Sequence, residues 1–400
     1  MSLTDSSDFL SQSLQVSEAR KRSYLVGSVG PTSLLGTQEL ERQLPDRQIR
    51  IFVGTWNMNG QVPPRHLSEF LLPANIKYVP DLLVIGTQET FPEKTEWEVR
   101  LQDTLGPSHV LFHSASLGTL HLSIFIRRDL IWYCSIPEDD SFSTRPGAQF
   151  KTKGAVAVGF ILFGTSFLFV NSHLTAHQEN VKDRVKDLKK ISAMLNLPKL
   201  LPLKKRHEIF DSYDVCFWCG DLNFRLEQTR AEIIRDIEDG VSLLETDQLN
   251  WLMGKGTIFR GFKEHQINFR PTYKYDPGTD NFDTSSKQRI PSYTDRIVFK
   301  HNSNSTVNTL HYDSVQGKLK IRSKGGISSN KMIMLSGVLT SDHKPVWGMF
   351  EVKIKPGKDS IPLAGGLFNR QIYLEGLKRR SESLKPRIGR GGTANMCHVS

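Results

Sequence analysis

Between Gln48 and about Val352 the chain alternates short apolar blocks with polar ones. Ile51-Phe52-Val53, Leu82-Leu83-Val84-Ile85, Phe167-Leu168-Phe169-Val170 and Val215-Cys216-Phe217-Trp218 are unbroken apolar runs, which predict buried strands. Leu120, Leu122, Ile124 and Ile126 alternate strictly, as in a strand with one face in the core and the other toward water. The longest apolar stretch, Ala155 to Val170, is broken at Gly164-Thr165-Ser166. That turn signal predicts a hairpin, because a membrane span needs about 20 unbroken apolar residues. Val181, Val185, Leu188, Ile191 and Leu195 recur every three or four residues and predict an amphipathic helix within 178–197. Residues 232–238 and 242–253 are further helix candidates. No repeat of 20–50 residues occurs, and strands with intervening helices predict one α/β domain over 48–355.

Composition narrows the class. With 400 residues, 38% hydrophobic and 24% charged, the chain is no collagen, no disulfide scaffold and not disordered throughout. Met1 to Leu10 is polar and serine-rich, unlike a secretory signal. Four cysteines in so long a chain form no framework and fit a reducing compartment, so a soluble intracellular protein is expected. Residues 1–47, rich in Ser, Gln and Gly, read as a flexible leader with at most one short docked segment.

Of the net charge of +10, +7 lies in residues 353–400, and the basic tail over 356–400 is opened by Pro356-Gly357. From Lys353 onward ten Lys or Arg face three acids. A charge run is ordinarily a solvated end, and a nucleic-acid binder usually carries its basic patch on the folded body. Here the run leads to Cys397-His398-Val399-Ser400, which has the C-a-a-X form with a terminal Ser that points to farnesylation of Cys397. One lipid chain binds membranes marginally, and Lys378, Arg379, Arg380, Lys385, Arg387 and Arg390 would supply the second signal. The expectation is a protein anchored to a membrane surface without spanning it.

Chemistry gathers where the strands end. Ile51–Val53 runs into Thr55-Trp56-Asn57-Met58-Asn59-Gly60, Leu82–Ile85 into Gln88-Glu89, Phe167–Val170 into Asn171-Ser172-His173, and Val215–Trp218 into Cys219-Gly220-Asp221-Leu222-Asn223-Phe224-Arg225. Pro291-Ser292-Tyr293-Thr294-Asp295-Arg296 and Ser341-Asp342-His343-Lys344-Pro345 follow. Any one such end could be an ordinary polar loop. Six of them suit one carboxylate-lined hole for a hard cation such as Mg²⁺, with imidazoles beside it. Two other patterns compete. Cys216 and Cys219 form C-x-x-C, but with no second pair. Cys219 and Arg225 have the C-x5-R spacing of cysteine-dependent phosphatases, yet Asp221 between them would repel a phosphate.

In that order, TWNMNG, QE, NSHL, WCGDLNFR, PSYTDRI and SDHKP resemble the DNase I-like endonuclease/exonuclease/phosphatase superfamily. WCGDLNFR together with Phe269-Arg270-Pro271-Thr272-Tyr273-Lys274-Tyr275-Asp276 resembles its inositol polyphosphate 5-phosphatases, over about residues 48–352. The resemblance implies a four-layer α/β sandwich of two packed mixed sheets flanked by helices. It implies Mg²⁺ on Glu89 and Asn57, water activated by Asp221 with Asn223 beside it, and His343 on the scissile phosphate, held by Asp295. His173 would be a second imidazole on the phosphate, with Asp342 near the metal. Tyr273 and Lys274 would grip the neighbouring 4-phosphate, and Lys153 and Arg225 would be further phosphate contacts.

The implied substrates are PtdIns(4,5)P2 and PtdIns(3,4,5)P3, losing their 5-phosphate. Departures from the commonest pattern are Thr152 and Ala155 in TKGA, and Tyr293 and Thr294 in PSYTDRI. With the C-a-a-X box, they resemble a farnesylated branch of the family found at primary cilia and Golgi and served by a prenyl-binding carrier. A monomer without nucleic acid is the default expectation. The rival readings are a nuclease of the same superfamily, a cysteine-dependent phosphatase, and an adaptor without activity. His113, His207, His265 and His311 lack motif context and read as structural or surface residues, and the sequon Asn304-Ser305-Thr306 as unread.

Overall fold

The computed structural model describes residues 33–145, 147, 152–315, 337–358 and 360–384. In chain order its elements begin with α1 (Thr37–Gln43), β1 (Gln48–Asn57), α2 (Ser68–Leu71), β2 (Leu82–Gln88), α3 (Lys94–Leu105), β3 (His109–Leu117), β4 (Leu120–Arg127) and β5 (Glu138–Ser143). They continue with β6 (Gly154–Leu162), β7 (Thr165–His173), α4 (Val181–Met194), β8 (Val215–Asp221), α5 (Arg230–Glu238) and α6 (Gln248–Gly254). The last are β9 (Asp295–His301), β10 (Val307–Ser314), β11 (Val346–Lys353) and α7 (Arg370–Leu384).

The four unbroken apolar runs become two parallel pairs, β1 beside β2 and β7 beside β8. Parallel strands are covered on both faces, and that is why their sequences do not alternate. The first pair lies inside a six-stranded sheet of order β10-β11-β1-β2-β4-β3, the second inside a five-stranded sheet of order β5-β6-β7-β8-β9. The sheets face each other across a core that includes Ile51, Val84, Ile124, Val158, Phe169, Phe217 and Phe350. On the outer face of the six-stranded sheet lies a second core with Trp97 and Leu101 of α3 and Ile372 of α7. On that of the five-stranded sheet Leu188 and Ile191 of α4 pack with Trp218 and Leu252. The layers are therefore helix, sheet, sheet, helix, as expected.

Three expectations change. Strand β4 is buried on both faces, because α3 covers its outer side; His121 there meets the Glu98 carboxylate at 3.1 Å. The stretch 242–253 is broken at Asp247, whose carboxylate accepts from the Asn250 N–H at 2.8 Å and caps α6. The folded body also exceeds 48–355 at both ends. Leu35, Leu40 and Leu44, from the segment expected to be a leader, join the main core, and the Leu35 carbonyl accepts from the Gly357 N–H at 2.7 Å. In the expected tail, 370–384 is helix α7 docked on α3. The first segment carries too few apolar residues to mark an element, and the second lies among the basic residues of the expected tail. Among the described residues no helix is long and apolar enough to cross a membrane, and Cys397 lies outside the described residues.

Candidate active site

One rim of the sandwich collects the strand ends that the motifs mark. Strands β1, β2, β7 and β8 all finish there, at Asn57, Gln88–Glu89, His173 and Asp221. Register brings in antiparallel neighbours: Gly154 pairs with His173, and Asp295 pairs with Asp221. Lys153 and His343 stand just ahead of β6 and β11. The two sheets are cross-linked below the rim by Asn171, which donates to the carbonyls of Thr87 and His121, both at 2.9 Å, and accepts from Gln88 at 2.6 Å. This contact needs Gly86, where a Cβ would lie 2.8 Å from Asn171 Cγ. Glu89 and Asn223 sit in the left-handed backbone region, at φ 47° and 58°. Such strain in non-glycine residues concentrates at functional sites.

The polar groups form one chain of contacts. Asp221 Oδ2 accepts from Asn57 Nδ2 at 3.0 Å, lies 3.1 Å from His173 Nε2 and 4.0 Å from His343 Nε2. His343 Nδ1 meets Asp295 Oδ2 at 3.0 Å, and that oxygen also accepts from Thr272 Oγ1 at 2.7 Å and Thr294 Oγ1 at 2.8 Å. Main-chain bonds fix the histidine further: its carbonyl accepts from Trp56 Nε1 at 3.1 Å and its N–H donates to Ser341 Oγ at 3.1 Å. Tyr273 covers the His343 ring at 4.5 Å, and Arg225 lies 4.4 Å over the other ring, Tyr273. Lys274 pairs with Asp342, and Lys153 with His173 Nε2.

Charges follow from these neighbours. Burial works against ionisation of Asp221, but His173, His343 and Lys153 outweigh it and hold its carboxyl well below the usual range. Burial would likewise lower His343; the Asp295 and Asp221 carboxylates instead raise it to about 10, so it is a cation at neutral pH. Burial pushes His173 down, with the Lys153 charge adding to the effect. It also lowers Lys153 to about 8, with Asp221 and Glu89 opposing. His173 Nε2 is thus shared: it accepts from a charged Lys153 or donates to Asp221.

A divalent cation fits beside this cluster. Donor atoms of Asp221, Asp295 and His343 lie within 4.8 Å of one another, but His343 is cationic and bound to Asp295, which disfavours a metal between them. Glu89 is the better candidate ligand: it is half-buried, its carboxylate makes no hydrogen bond or ion pair with the described residues, and it lies near the charges of Lys153 and His173. Among the described residues Asn57 Oδ1 accepts only the Asn59 N–H, at 3.0 Å, which leaves it one lone pair.

All twelve rim residues expected from sequence are present around this rim. Two differ from the expected contacts. Asp342 is paired with Lys274, and Arg225 binds the Asn223 carbonyl at 3.1 Å and its side-chain oxygen. Thr272, Thr294, Ser341 and Trp56 were not expected; all four lie inside the motifs, where their hydroxyl or indole groups were the available signal. A cavity of about 290 Å³ adjoins the rim, lined by His177, Arg225, Tyr273, Lys287 and Arg289. The two cations of Lys287-Gln288-Arg289 just before PSYTDRI could have pointed to it. Cys219 takes no part: it is buried between the sheets and burial pushes its thiol up to about 12, so it is no thiolate nucleophile. Cys216 faces the other core, so the C-x-x-C pair is split.

Residues 54–349, spanning both halves of the rim, match endonuclease/exonuclease/phosphatase family 2. The chain belongs to that family. Within the endonuclease/exonuclease/phosphatase family 2 it is 45% identical over 379 residues to the Mus musculus protein named phosphatidylinositol polyphosphate 5-phosphatase type IV, covering 92% of this chain and 56% of the relative. Synaptojanin-2 of Homo sapiens is 32% identical over 370 residues, 81% of this chain and 24% of that one. The chain thus spans about half the length, or less, of these curated relatives. Among solved structures it is similar to the inositol polyphosphate 5-phosphatase domain of SPsynaptojanin, in complex with inositol (1,4)-bisphosphate and a calcium ion. The TM-score is 0.65 at 28% identity, over 87% of this chain and 96% of that one.

Proposed function

We propose that the chain is a divalent-metal-dependent phosphatase that removes the 5-phosphate of PtdIns(4,5)P2 and PtdIns(3,4,5)P3. The observation that carries this reading is Tyr273-Lys274 set directly against His343 and Asp342. A grip for one phosphate therefore adjoins the hole for another, in a chain similar to a domain solved with an inositol bisphosphate. A ring bearing vicinal phosphates fits that spacing better than a nucleic-acid backbone.

In this reading Asp221 orients the attacking water, with Asn57 and Asn223 aligned beside it. A carboxylate held so low accepts the hydrogen bond throughout and takes the proton late, once attack has made it acidic. The water oxygen bonds to phosphorus and passes its proton to Asp221 as the bond to the ring oxygen breaks, and that oxygen leaves as a hydroxyl with a proton taken from solvent water. His343, kept cationic and oriented by Asp295, stabilises the charge on the phosphoryl oxygens, and Lys153 and His173 contact them from the other side. Mg²⁺ held by Glu89 and Asn57 would polarise the phosphate. Lys274 holds the 4-phosphate, with Arg225 behind Tyr273.

The substrate test is phosphate release from vesicles of each lipid, with Mg²⁺ and after chelation, with the product checked for a retained 4-phosphate. Metal-dependent loss of the 5-phosphate is expected, and cleavage of DNA with no lipid turnover would overturn the reading in favour of a nuclease. Farnesylation of Cys397, capture by a prenyl-binding carrier and residence on ciliary and Golgi membranes belong to the same proposal. They rest on Cys397-His398-Val399-Ser400 and are tested by the mass of the C-terminal peptide from cells.

A further inference from the structure

Helix α7 runs antiparallel to α3, and this direction has a consequence for how the rim meets a membrane. Helix α3 starts five residues after Glu89, beside the rim; its Glu98 meets His121, which pairs with Thr87 near the end of β2. Its last turn lies at the opposite end of the sheet, where Gln102 donates to the His109 carbonyl at 2.8 Å. Tyr373, early in α7, reaches that far end, its hydroxyl 3.5 Å from the Pro107 carbonyl and 3.0 Å from Arg128 Nη1. Gly376 crosses Gln102, and Arg379 reaches Glu96 in the first turn of α3, at 2.7 and 2.8 Å from its two oxygens. Five residues remain after Arg379, about 7.5 Å of helix at 1.5 Å per residue. Counted from the crossing at Gly376 and Gln102, the end of α7 at Leu384 comes level with the start of α3 at Lys94, on the rim side of the sheet.

The attachment is firm. Ile372 and Gly376 are buried, and a Cβ at Gly376 would lie 2.5 Å from Gln102 Cγ, so the two backbones meet without room for a side chain. Arg380 donates to the carbonyls of Asp103 and Thr104, at 2.8 and 3.1 Å, where the C-terminal end of α3 favours a cation. Two of the basic residues expected to face lipid are thus spent on this contact. Lys378 stays exposed, and in sequence Lys385, Arg387 and Arg390 come next.

We propose that α7 is a rigid arm that delivers the basic C-terminal segment to the rim carrying Asp221 and His343, and so turns that rim toward an anionic bilayer. The proposal rests on the membrane-anchored reading above, but its test does not need turnover. The chain carrying Cys397→Ser, extended by six histidines, is bound to phosphatidylserine vesicles containing a nickel-chelating lipid. A headgroup-quenched fluorophore is placed at Val62→Cys, exposed beside the rim, or at Val79→Cys, exposed at the opposite end; Cys134, Cys216 and Cys219 are buried and escape labelling. The probe at 62 should lose most of its emission and the probe at 79 little. Gly376→Leu, and separately Arg379→Glu with Arg380→Glu, should remove the contrast while turnover of soluble inositol 1,4,5-trisphosphate stays at the parent level. Equal quenching at both positions, or a contrast that survives both variants, would overturn the arm. Absence of turnover in the parent chain would instead overturn the catalytic reading and leave the quenching result to judge the arm.

Discussion

Two buried clusters of cations and carboxylates meet on β9, one residue apart, and they differ in what is left unsatisfied. Arg296 binds both Asp247 oxygens at 2.9 Å and both Glu264 oxygens at 2.8 and 2.6 Å, and Tyr312 donates to Glu264 at 2.8 Å. Its charge is fully matched, and these neighbours raise its already high pKa despite burial. Asp295, on the opposite face, belongs to a cluster with spare capacity. Among the described residues its Oδ1 and His173 Nδ1 are buried without hydrogen-bond partners, and the Glu89 carboxylate has none either. Buried charge alone does not mark a site; a buried polar group left unpaired costs stability and persists where a ligand supplies the partner. The neighbours His343 and Lys344 repeat the contrast, since Lys344 is buried on Asp280 at 2.6 Å and the Thr279 carbonyl at 2.8 Å.

The largest effect that would test this division is Asp221→Asn. It should lower phosphate release about a thousandfold, within the range for losing a positioned base, and it should lower melting at neutral pH as well, because a carboxyl held below its usual range by His173, His343 and Lys153 contributes to folding there. A smaller loss, about a hundredfold, is expected for His343→Gln, which removes one stabilising charge from the transition state. That variant also carries a pH signature. His343 is raised from 6.5 to about 10, so the folded state binds an extra proton between those values. The stability it contributes is complete below about pH 6.5 and is lost as pH rises through about 10. Melting of the parent and His343→Gln should therefore differ most in weak acid and converge toward pH 10.

Arg296→Met should lower stability alone. Stranding Asp247 and Glu264 should cost about 3–5 kcal/mol in denaturant unfolding, while turnover per folded molecule stays near the parent. If turnover falls with stability unchanged, the clusters are not separable as described. The smallest effect is expected for Cys219→Ser, with activity retained and only a modest loss of stability from a hydroxyl placed in the core.

What could be read in the sequence follows the same division. The parallel pairs were legible because burial on both faces leaves continuous apolar runs, and the rim because each run ends in the residues that face the hole. Asp295 and Arg296 look alike in PSYTDRI, and no pattern says which faces the site; that is set by strand register against Asp221. Strand β4 misled, because His121 and Ser123 resemble a solvent face yet are buried under α3. Helix α7 was hidden because the arginines that dock it also read as a lipid-facing tail.

The most direct measurement of the central claim is phosphate release from PtdIns(4,5)P2 vesicles by the parent, Asp221→Asn and Cys219→Ser chains, with Mg²⁺ and after chelation. The predicted result is release of the 5-phosphate that needs the metal, is lost in Asp221→Asn and is kept in Cys219→Ser. Release that survives chelation and disappears in Cys219→Ser would contradict it.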